Sequence, residues 1–342
     1  MSELLPRKLV IKSVFPQAGI QGGKVRIEYE GLDLRDFHHL TLLFGNVPGR
    51  LSVLTPTFLT ATIPSQAPPA PLALEVNGER SEPISFIVAT RLASNLHPVA
   101  NPAIDADGNI YTTLSGSRGQ KVPVSVYKIS PTGFIRAFSS KVTNPTGLAI
   151  DNHGDIYISN RSEGIIHRLT PSGESTIFAQ GLGIATGLAF DPYGNLFVGD
   201  RNGKIYSISR RGEPRLFATL APSVAAYHLA FDVRGNLYVT NPGLSGYDVI
   251  YRISPGGDIE TFFTGLGRPQ GLAFDARGNL YVVAYFQGDG GVVRISPDRE
   301  TLQVITGKNL AGLAFDQRGG LILATNSSIF KLNLGIQGKP LP

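Results

Sequence analysis

One short motif recurs six times in the chain and constrains its fold more than any other feature. The clearest copy is GLAFDARGNLYVV, which begins at residue 271, and variants begin at residues 101, 147, 187, 228 and 312. Each copy has an Asp, a Gly three residues later, and alternating apolar residues on both sides. The Asp residues lie 40 to 46 positions apart: Asp105, Asp151, Asp191, Asp232, Asp275 and Asp316. A period of about 40 to 50 residues with several short strands in each unit is typical of a β-propeller.

Each repeat predicts four strands. In the second copy these are TGLAID, which starts at Thr146, then IYISN, IIHRL and STIFAQ. The Gly supplies the positive φ that a tight turn needs, and the Asp side chain accepts hydrogen bonds from turn amides. Because one four-stranded sheet cannot bury both of its faces, we expect six such sheets, or blades, to close into a ring.

The last copy lacks a fourth strand. Its strands are expected near 313–318, 321–325 and 328–333, and no outer strand follows them. The segment SFIVATRLASNL (85–96), which precedes the first copy, resembles the outer strand of the other repeats. We therefore expect residues 86–96 to complete blade six, with residues near 86–92 pairing with 328–333.

The first 89 residues show a different pattern. About seven short alternating strands, each bounded by turn residues, indicate an Ig-like sandwich. The predicted fold class is therefore all-β, with an N-terminal Ig-like β-sandwich in residues 1–89 and a C-terminal six-bladed β-propeller in residues 90–342.

Composition narrows the functional classes. The chain has no Cys, which excludes disulfides, thiolate metal sites and a cysteine nucleophile. Its net charge of +5 lies entirely beyond residue 90 and is scattered, so it slightly favours anionic ligands without forming a basic face for nucleic acid. No apolar run is long enough for a membrane helix, and the N-terminus lacks the apolar core of an export signal. We expect a cytoplasmic protein, with an exported form left open.

Two resemblances follow from these motifs. SVFPQAGIQGGKVRIEYEGLDL resembles the IPT/TIG family of Ig-like domains, whose pattern is a Pro, a Gly-Gly pair and a strand that ends in Gly. Residues 90–342 resemble the NHL-type and gluconolactonase-type (senescence-marker-protein) six-bladed propellers through the GLAFDxxGNLYV copies. That superfamily contains lactonases, lyases and binding modules, so the resemblance implies the fold more than the activity.

The candidate site lies where the copies differ. In a propeller, the loops that enter the inner strand and leave the second strand meet at one end of the ring, which we call the mouth. Long loops after the second strand in copies one, four and five should add binding residues there. The alternative is that Thr and Asn at strand ends only bond their own turns. The candidate ligand-binding residues are Asn101, Thr146, Asn160, Arg161, Thr186, Asp200, Arg201, Tyr227, His228, Asn241, Gln270 and Tyr285.

Two functions are compatible with this set. The first is a soluble binding protein that holds a small polar or anionic ligand at the mouth, with the Ig-like domain as a spacer or docking module. The second is a hydrolase or lyase acting on a lactone or ester, in which Asp200 would orient His228 as a general base. No established nucleophile motif occurs in the sequence, so whether the protein is an enzyme stays open.

Metal and partner expectations come from the same comparison. Gluconolactonase-type enzymes hold a divalent metal through a Glu, an Asn and an Asp, and the matching positions here are Val99 or Ala100, Tyr227 and Gln270. None of these is a carboxylate, so we predict no metal site and no cofactor; a divalent metal would require a different mapping. We expect a small-molecule ligand or a protein partner, no nucleic acid, no membrane, and a monomer. An interaction scaffold is a further class, with Arg234, Arg277 and Arg318 on the opposite face.

Overall fold

The computed structural model describes residues 8–114, 122–243 and 248–339 of the chain. It is all-β, as predicted; the one helical element in the described ranges is a short 3-10 helix at Leu34–His39. No helix in these ranges is long and apolar enough to cross a membrane. The chain divides into two compact units. The first comprises residues up to 90 with 287–292 and 303–308, and the second comprises 91–286, 293–302 and 309–342.

The N-terminal part of the first unit contains two four-stranded sheets with the orders β1-β3-β7-β6 and β5-β4-β8-β9. Strands β2 and β10 form a short parallel pair. The strands are β1 (Val10–Phe15), β2 (Ala18–Gly19), β3 (Lys24–Glu30), β4 (Thr41–Phe44), β5 (Val47–Pro48), β6 (Arg50–Leu54), β7 (Phe58–Thr62), β8 (Leu72–Val76), β9 (Glu79–Arg80) and β10 (Ile87–Val88).

Both sheets contribute side chains to one core. Ile27 and Leu59 from the first sheet are buried in the same cluster as Leu42 and Leu74 from the second. In β3, buried and exposed residues alternate strictly, as they do in a strand with one face on a core. These two sheets with a shared core form a β-sandwich.

The repeats form six blades, each with an inner strand, a second strand, a third strand and an outer strand. Blade one is β12 (Ala103–Ile104), β13 (Ile110–Thr113), β14 (Val126–Ile129) and β15 (Ile135–Ser139). Blades two and three are β16 (Pro145–Ile150), β17 (Ile156–Asn160), β18 (Ile165–Leu169), β19 (Ser175–Ala179), β20 (Ala185–Phe190), β21 (Leu196–Asp200), β22 (Lys204–Ile208) and β23 (Pro214–Thr219). Blades four and five are β24 (His228–Phe231), β25 (Leu237–Asn241), β26 (Val249–Ile253), β27 (Ile259–Thr264), β28 (Leu272–Phe274), β29 (Leu280–Phe286), β30 (Asp289–Ile295) and β31 (Thr301–Thr306).

Blade six takes its outer strand from the segment that precedes blade one. The sheet order is β11-β34-β33-β32, in which β32 is Leu310–Phe315, β33 is Gly320–Thr325 and β34 is Ser328–Asn333. Strand β11 is Thr90–Ser94, and beyond it the amide of Leu96 donates to the carbonyl of Ser327 at 3.0 Å. The pairing strand thus begins four residues later than the start of the 86–92 segment expected from the sequence.

The motif Asp residues hold the turns between inner and second strands. In blade two, Asp151 Oδ1 accepts from the amides of His153 at 2.9 Å and Asp155 at 3.0 Å. Gly154 of the same turn has a φ of 82°. The Asp of every other blade accepts hydrogen bonds from the same two turn positions. This confirms the role predicted for the motif Asp and Gly, and these turns define the end of the ring opposite the mouth, which we call the turn end.

The motif aromatics hold neighbouring blades together. The ring of Tyr157 in blade two meets Phe190 of blade three edge to face, with 5.1 Å between centroids. The same contact joins blades three and four, four and five, and five and six. Such aromatic pairs contribute about 0.5–1.5 kcal/mol each beyond their buried area. The Phe of GLAFD therefore stabilises the interface with the preceding blade, which explains why an aromatic residue recurs there.

Candidate functional site at the mouth

The mouth gathers the starts of the inner strands and the ends of the second strands. Register fixes this arrangement: Pro145 pairs with Asn160 in blade two, Ala185 with Asp200 in blade three, and His228 with Thr240 in blade four. The predicted long loops of copies one and four contain residues 115–121 and 244–247, which lie outside the described residues. The site is therefore built from the strand ends.

Buried polar atoms without hydrogen-bond partners collect at the mouth of blades two, three and four. Of the six such atoms in the described ranges, four lie here: Thr146 Oγ1, Asn160 Nδ2, Arg201 Nε and Asn241 Oδ1. The other two are His167 Nε2 and Arg294 Nε, on third strands. Leaving such an atom unpaired costs about 1–3 kcal/mol, and most buried polar atoms in folded proteins are paired. Four of them in one sector provide two donors and two groups able to accept, which matches the needs of a polar ligand.

Two of these side chains, Asn160 and Asn241, are also anchored by hydrogen bonds to the backbone. Asn160 Oδ1 accepts from the Ser162 amide at 3.0 Å and from the Glu163 amide at 3.2 Å, which fixes the side chain and leaves its Nδ2 over. Asn241 Nδ2 donates to the Ala221 carbonyl at 3.0 Å and leaves Oδ1 over. The unpartnered atoms of these two side chains therefore have fixed orientations, as in preorganised binding groups.

Two arginines line one cavity at this end. The cavity has a volume of about 250 Å³ and is lined by Arg161, Ser162, Ile184 and Arg201. Arg201 Nη2 donates to the Val224 carbonyl at 2.8 Å, which holds the guanidinium in place. Within the described part of the chain neither arginine forms an ion pair. Two uncompensated guanidinium groups beside one cavity favour an anionic group, because a guanidinium can bind a carboxylate or phosphate through two parallel hydrogen bonds. Ser162 and Ile184 were not predicted. Ser162 directly follows Arg161, and Ile184 directly precedes the inner strand of blade three; the repeat motif marks neither position.

His228 is buried at the start of the fourth inner strand, with 5% of its surface exposed. Its amide donates to Thr240 Oγ1 at 3.3 Å, whereas its ring takes part in no hydrogen bond to any described residue. Desolvation lowers the pKa of His228 to about 4, so the imidazole is neutral at pH 7. It can donate from one ring nitrogen and accept at the other.

The predicted pairing of Asp200 with His228 is wrong. Asp200 Oδ1 accepts from the amides of Ile184 at 2.9 Å and Asn202 at 3.0 Å, so the carboxylate is used within its own blade. No hydrogen bond joins it to His228 in the described structure. Asp200 therefore holds the loop that carries Arg201. It is a strand-end residue that bonds its own turn, as in the alternative stated above.

Tyr227 and Thr186 also have structural roles. Tyr227 is fully buried, its hydroxyl donates to the Ala221 carbonyl, and burial raises its pKa above the ordinary value. Thr186 Oγ1 donates to the Gly199 carbonyl at 2.9 Å and accepts from the Tyr227 amide at 3.2 Å. The prediction that these two side chains contact a ligand is corrected: both connect blades three and four.

The remaining predicted residues lie on blades one and five. Asn101 Nδ2 donates to the Leu272 carbonyl at 3.0 Å and its Oδ1 accepts from the Leu313 amide at 3.1 Å, so its side chain joins the inner strands of blades five and six. The amide of Gln270 donates to the Val283 carbonyl at 2.8 Å, and its half-buried side chain has no hydrogen bond to any described residue. Tyr285 is 48% exposed. Asn101 is therefore structural, and Gln270 and Tyr285 stay available to a ligand.

The described residues contain no group of three or more His, Asp and Glu side chains arranged to hold a metal ion. Two of the positions compared above with the metal ligands of gluconolactonase-type enzymes are Tyr227 and Gln270. The Tyr227 hydroxyl donates a hydrogen bond to the Ala221 carbonyl, and Gln270 carries an uncharged amide. The unpartnered groups at the mouth are amides, a hydroxyl, an imidazole and guanidinium groups, which suit an organic anion better than a hard cation.

Comparisons with known proteins identify the fold. No family model matches the sequence, and no curated protein was found to be related to it. A putative gluconolactonase of known structure is 19% identical, with a TM-score of 0.60 over 74% of this chain and 93% of that one. An auxiliary nutrient binding protein from Bacteroides ovatus is 13% identical, with a TM-score of 0.55 over 97% and 98% of the two chains. Virginiamycin B lyase from Staphylococcus aureus is 16% identical, with a TM-score of 0.53 over 71% and 97%. At these identities the shared property is the fold, and the chain is a β-propeller protein similar in architecture to gluconolactonase-like, lyase and nutrient-binding propellers.

Proposed function

We propose that this protein binds a small polar or anionic ligand at the mouth of its propeller. The observation that carries the proposal is the sector of blades two to four, where four buried polar atoms lack partners and two arginines line one cavity. A ligand with a carboxylate or phosphate and several hydroxyl groups would pair these atoms. Similarity in fold to an auxiliary nutrient binding protein is compatible with this role.

Arg201 is the residue whose loss should weaken binding most. Its guanidinium is half-buried, held by the Val224 carbonyl, and has an unpaired Nε. Hydrogen bonds to charged groups contribute about 1.5–3 kcal/mol, so we expect Arg201→Ala to lower the affinity for an anionic ligand by about tenfold or more. A thermal-shift screen of sugar acids and their lactones would find a ligand, and isothermal titration would then measure its Kd.

Two substitutions give the matched comparison. Arg211→Ala removes an exposed arginine from a distant hairpin and should leave the Kd unchanged. Asn241→Ala removes an unpartnered acceptor at the mouth and should raise it. If a ligand were found and both Arg201→Ala and Asn241→Ala left its Kd unchanged, the site would lie elsewhere.

A second candidate function, turnover of a lactone or ester, rests on His228. Its ring has no hydrogen bond to any described residue and can accept a proton, although a pKa of about 4 makes it a weak base until an anionic substrate raises that value. A catalytically inactive variant of virginiamycin B lyase, whose structure with quinupristin has a TM-score of 0.52 to this chain, carries alanine in place of a histidine.

This candidate makes a distinct prediction. If the protein is a hydrolase or lyase, a panel of lactones and esters should contain a substrate whose turnover persists with a chelator present and falls by at least about a hundredfold in His228→Gln, because general base catalysis contributes about 10²–10⁴. Turnover that a chelator abolishes, or that His228→Gln leaves intact, would contradict this role. Binding without turnover across the panel would leave the binding function as the sole candidate.

A further inference from the structure

A second cavity lies at the turn end of the ring, on the side opposite the mouth. It has a volume of about 580 Å³. Its walls are residues of the six inner strands, including Leu148, Leu188 and Leu272, together with Asn101, Pro102 and the segment 337–339. Cavities of about 300–1,000 Å³ accommodate small organic ligands. The space is therefore large enough for a ligand of its own.

The segment 337–339 is fixed in place by main-chain contacts. The carbonyl of Gln337 accepts from the Ala276 amide at 2.8 Å, and the amide of Lys339 donates to the Phe274 carbonyl at 3.0 Å. Between them Gly338 pairs with Asp275 as an antiparallel bridge. A Cβ at Gly338 would lie 2.2 Å from the Cβ of Phe315, so only Gly fits there. This close packing determines where the side chain of Lys339 begins.

The ammonium group of Lys339 reaches into the ring. Nζ donates to the carbonyls of Phe231 at 2.8 Å and Asp232 at 3.3 Å. An ammonium has three protons, so one remains after these two bonds. Burial lowers the pKa of Lys339, and the carboxylates of Asp232 and Asp191 only partly offset that effect. No described carboxylate lies within ion-pair distance of Nζ.

The two carboxylates of the cavity wall have cationic partners of their own. Asp105 pairs with Lys128 at 3.3 Å, and Asp316 pairs with Lys331 at 3.0 Å. Both also accept hydrogen bonds from their turn amides. Among the described residues that line the cavity, Lys339 is thus the one charged group without an ion-pair partner.

We propose that the turn-end cavity binds a small organic acid, with its carboxylate on Lys339 Nζ and its apolar body along the inner-strand walls. The third proton of the ammonium provides the hydrogen bond, and the aliphatic side chains and alanines of the inner strands provide the apolar contact. This site is distinct from the one at the mouth, because none of the residues retained for that site lines this cavity.

The test uses the whole protein and two probes that differ in one group. 4-Phenylbutyrate carries a carboxylate and an apolar body, and 4-phenylbutyramide is its uncharged counterpart. Isothermal titration at pH 7 should show one site that prefers the carboxylate by about tenfold or more, as expected for a charge-assisted hydrogen bond. Lys339→Gln should reduce that preference to about onefold. Two control variants should leave it unchanged: Lys141→Gln, which removes an exposed lysine, and Arg201→Ala, which alters the mouth.

A second variant keeps the test decisive if Lys339→Gln does not fold. Ala230 is half-buried and lines the cavity, so Ala230→Leu should fill part of the space and weaken both probes alike. The proposal is overturned if neither probe binds, if Lys339→Gln retains the carboxylate preference, or if Ala230→Leu leaves both affinities unchanged. If Arg201→Ala lost the carboxylate preference while Lys339→Gln kept it, the probe would bind at the mouth instead. That result would also overturn the proposal.

Discussion

A fragment of residues 97–342 should fail to fold into a soluble protein. It lacks β11, whose position beside β34 completes blade six. Without that strand the edge of β34 would expose unpaired amides and carbonyls, which promote edge-to-edge aggregation. Ala93 and Leu96 would also leave the core cluster that contains Ile322 and Ile329. We expect no cooperative thermal transition and recovery mainly in the insoluble fraction.

The matched fragment begins at residue 84 and retains β11. It should be recovered in the soluble fraction and unfold in one transition measured by circular dichroism. Hydrogen exchange gives an independent reading in the intact chain, where the amides of β34 should be protected. A soluble 97–342 fragment that melts at the same temperature as the longer one would show that β11 is dispensable.

Acidification should destabilise the protein through His228. The pKa of this side chain is about 4 in the folded protein and about 6.5 in the unfolded chain. Above pH 6.5 neither state binds the proton, so His228 has no effect there. As the pH falls from 6.5 to 4, the unfolded state gains a proton that the folded state does not, and the free energy of unfolding falls by about 3 kcal/mol in total. Below pH 4 this loss stops growing.

Urea unfolding at pH 7 and pH 4 isolates this contribution. The wild-type protein should lose about 3 kcal/mol more than His228→Gln over that interval, because glutamine does not titrate. His153→Gln removes an exposed histidine and should behave as the wild type. Equal losses in the wild type and in His228→Gln would mean that the histidine is hydrated or paired in solution.

The repeat was sufficient to predict most of the propeller. A copy such as TGLAIDNHGDIYISN contains its own strand alternation and its own turn, so β16 and β17 follow from local sequence. The Asp-Gly turn is equally local, since its hydrogen bonds join residues two to four positions apart. These parts were predictable because their physical causes lie within a few residues of each other.

The site was harder to predict because its hydrogen bonds join distant residues. Thr186 and Tyr227 differ between copies in the way expected of binding residues, yet they bond each other across 41 positions. Asp200 carries a carboxylate next to Arg201, but that carboxylate accepts a hydrogen bond from the amide of Ile184. Lys339 lies in a short segment that follows the last strand, with no periodic signal, and its partners are more than 100 positions away. Variation between the copies did not separate side chains with free polar atoms at the mouth from those that join the blades.

The edge-to-face contacts between blades have a consequence for how the ring is held together. They join blades two to six in an unbroken series, because the inner strands of blades three to six each end in Phe. The inner strands of blades one and two end instead in Ile104 and Ile150, and Tyr111 of blade one packs on Phe138 of its own blade. Among the described residues no aromatic pair spans either interface of blade one, so blade one is the seam of the ring. Thermal fluctuations that separate blades should begin at the two interfaces of blade one. Asn160, Arg201 and His228 lie on blades two to four, within the part of the ring that the aromatic contacts join.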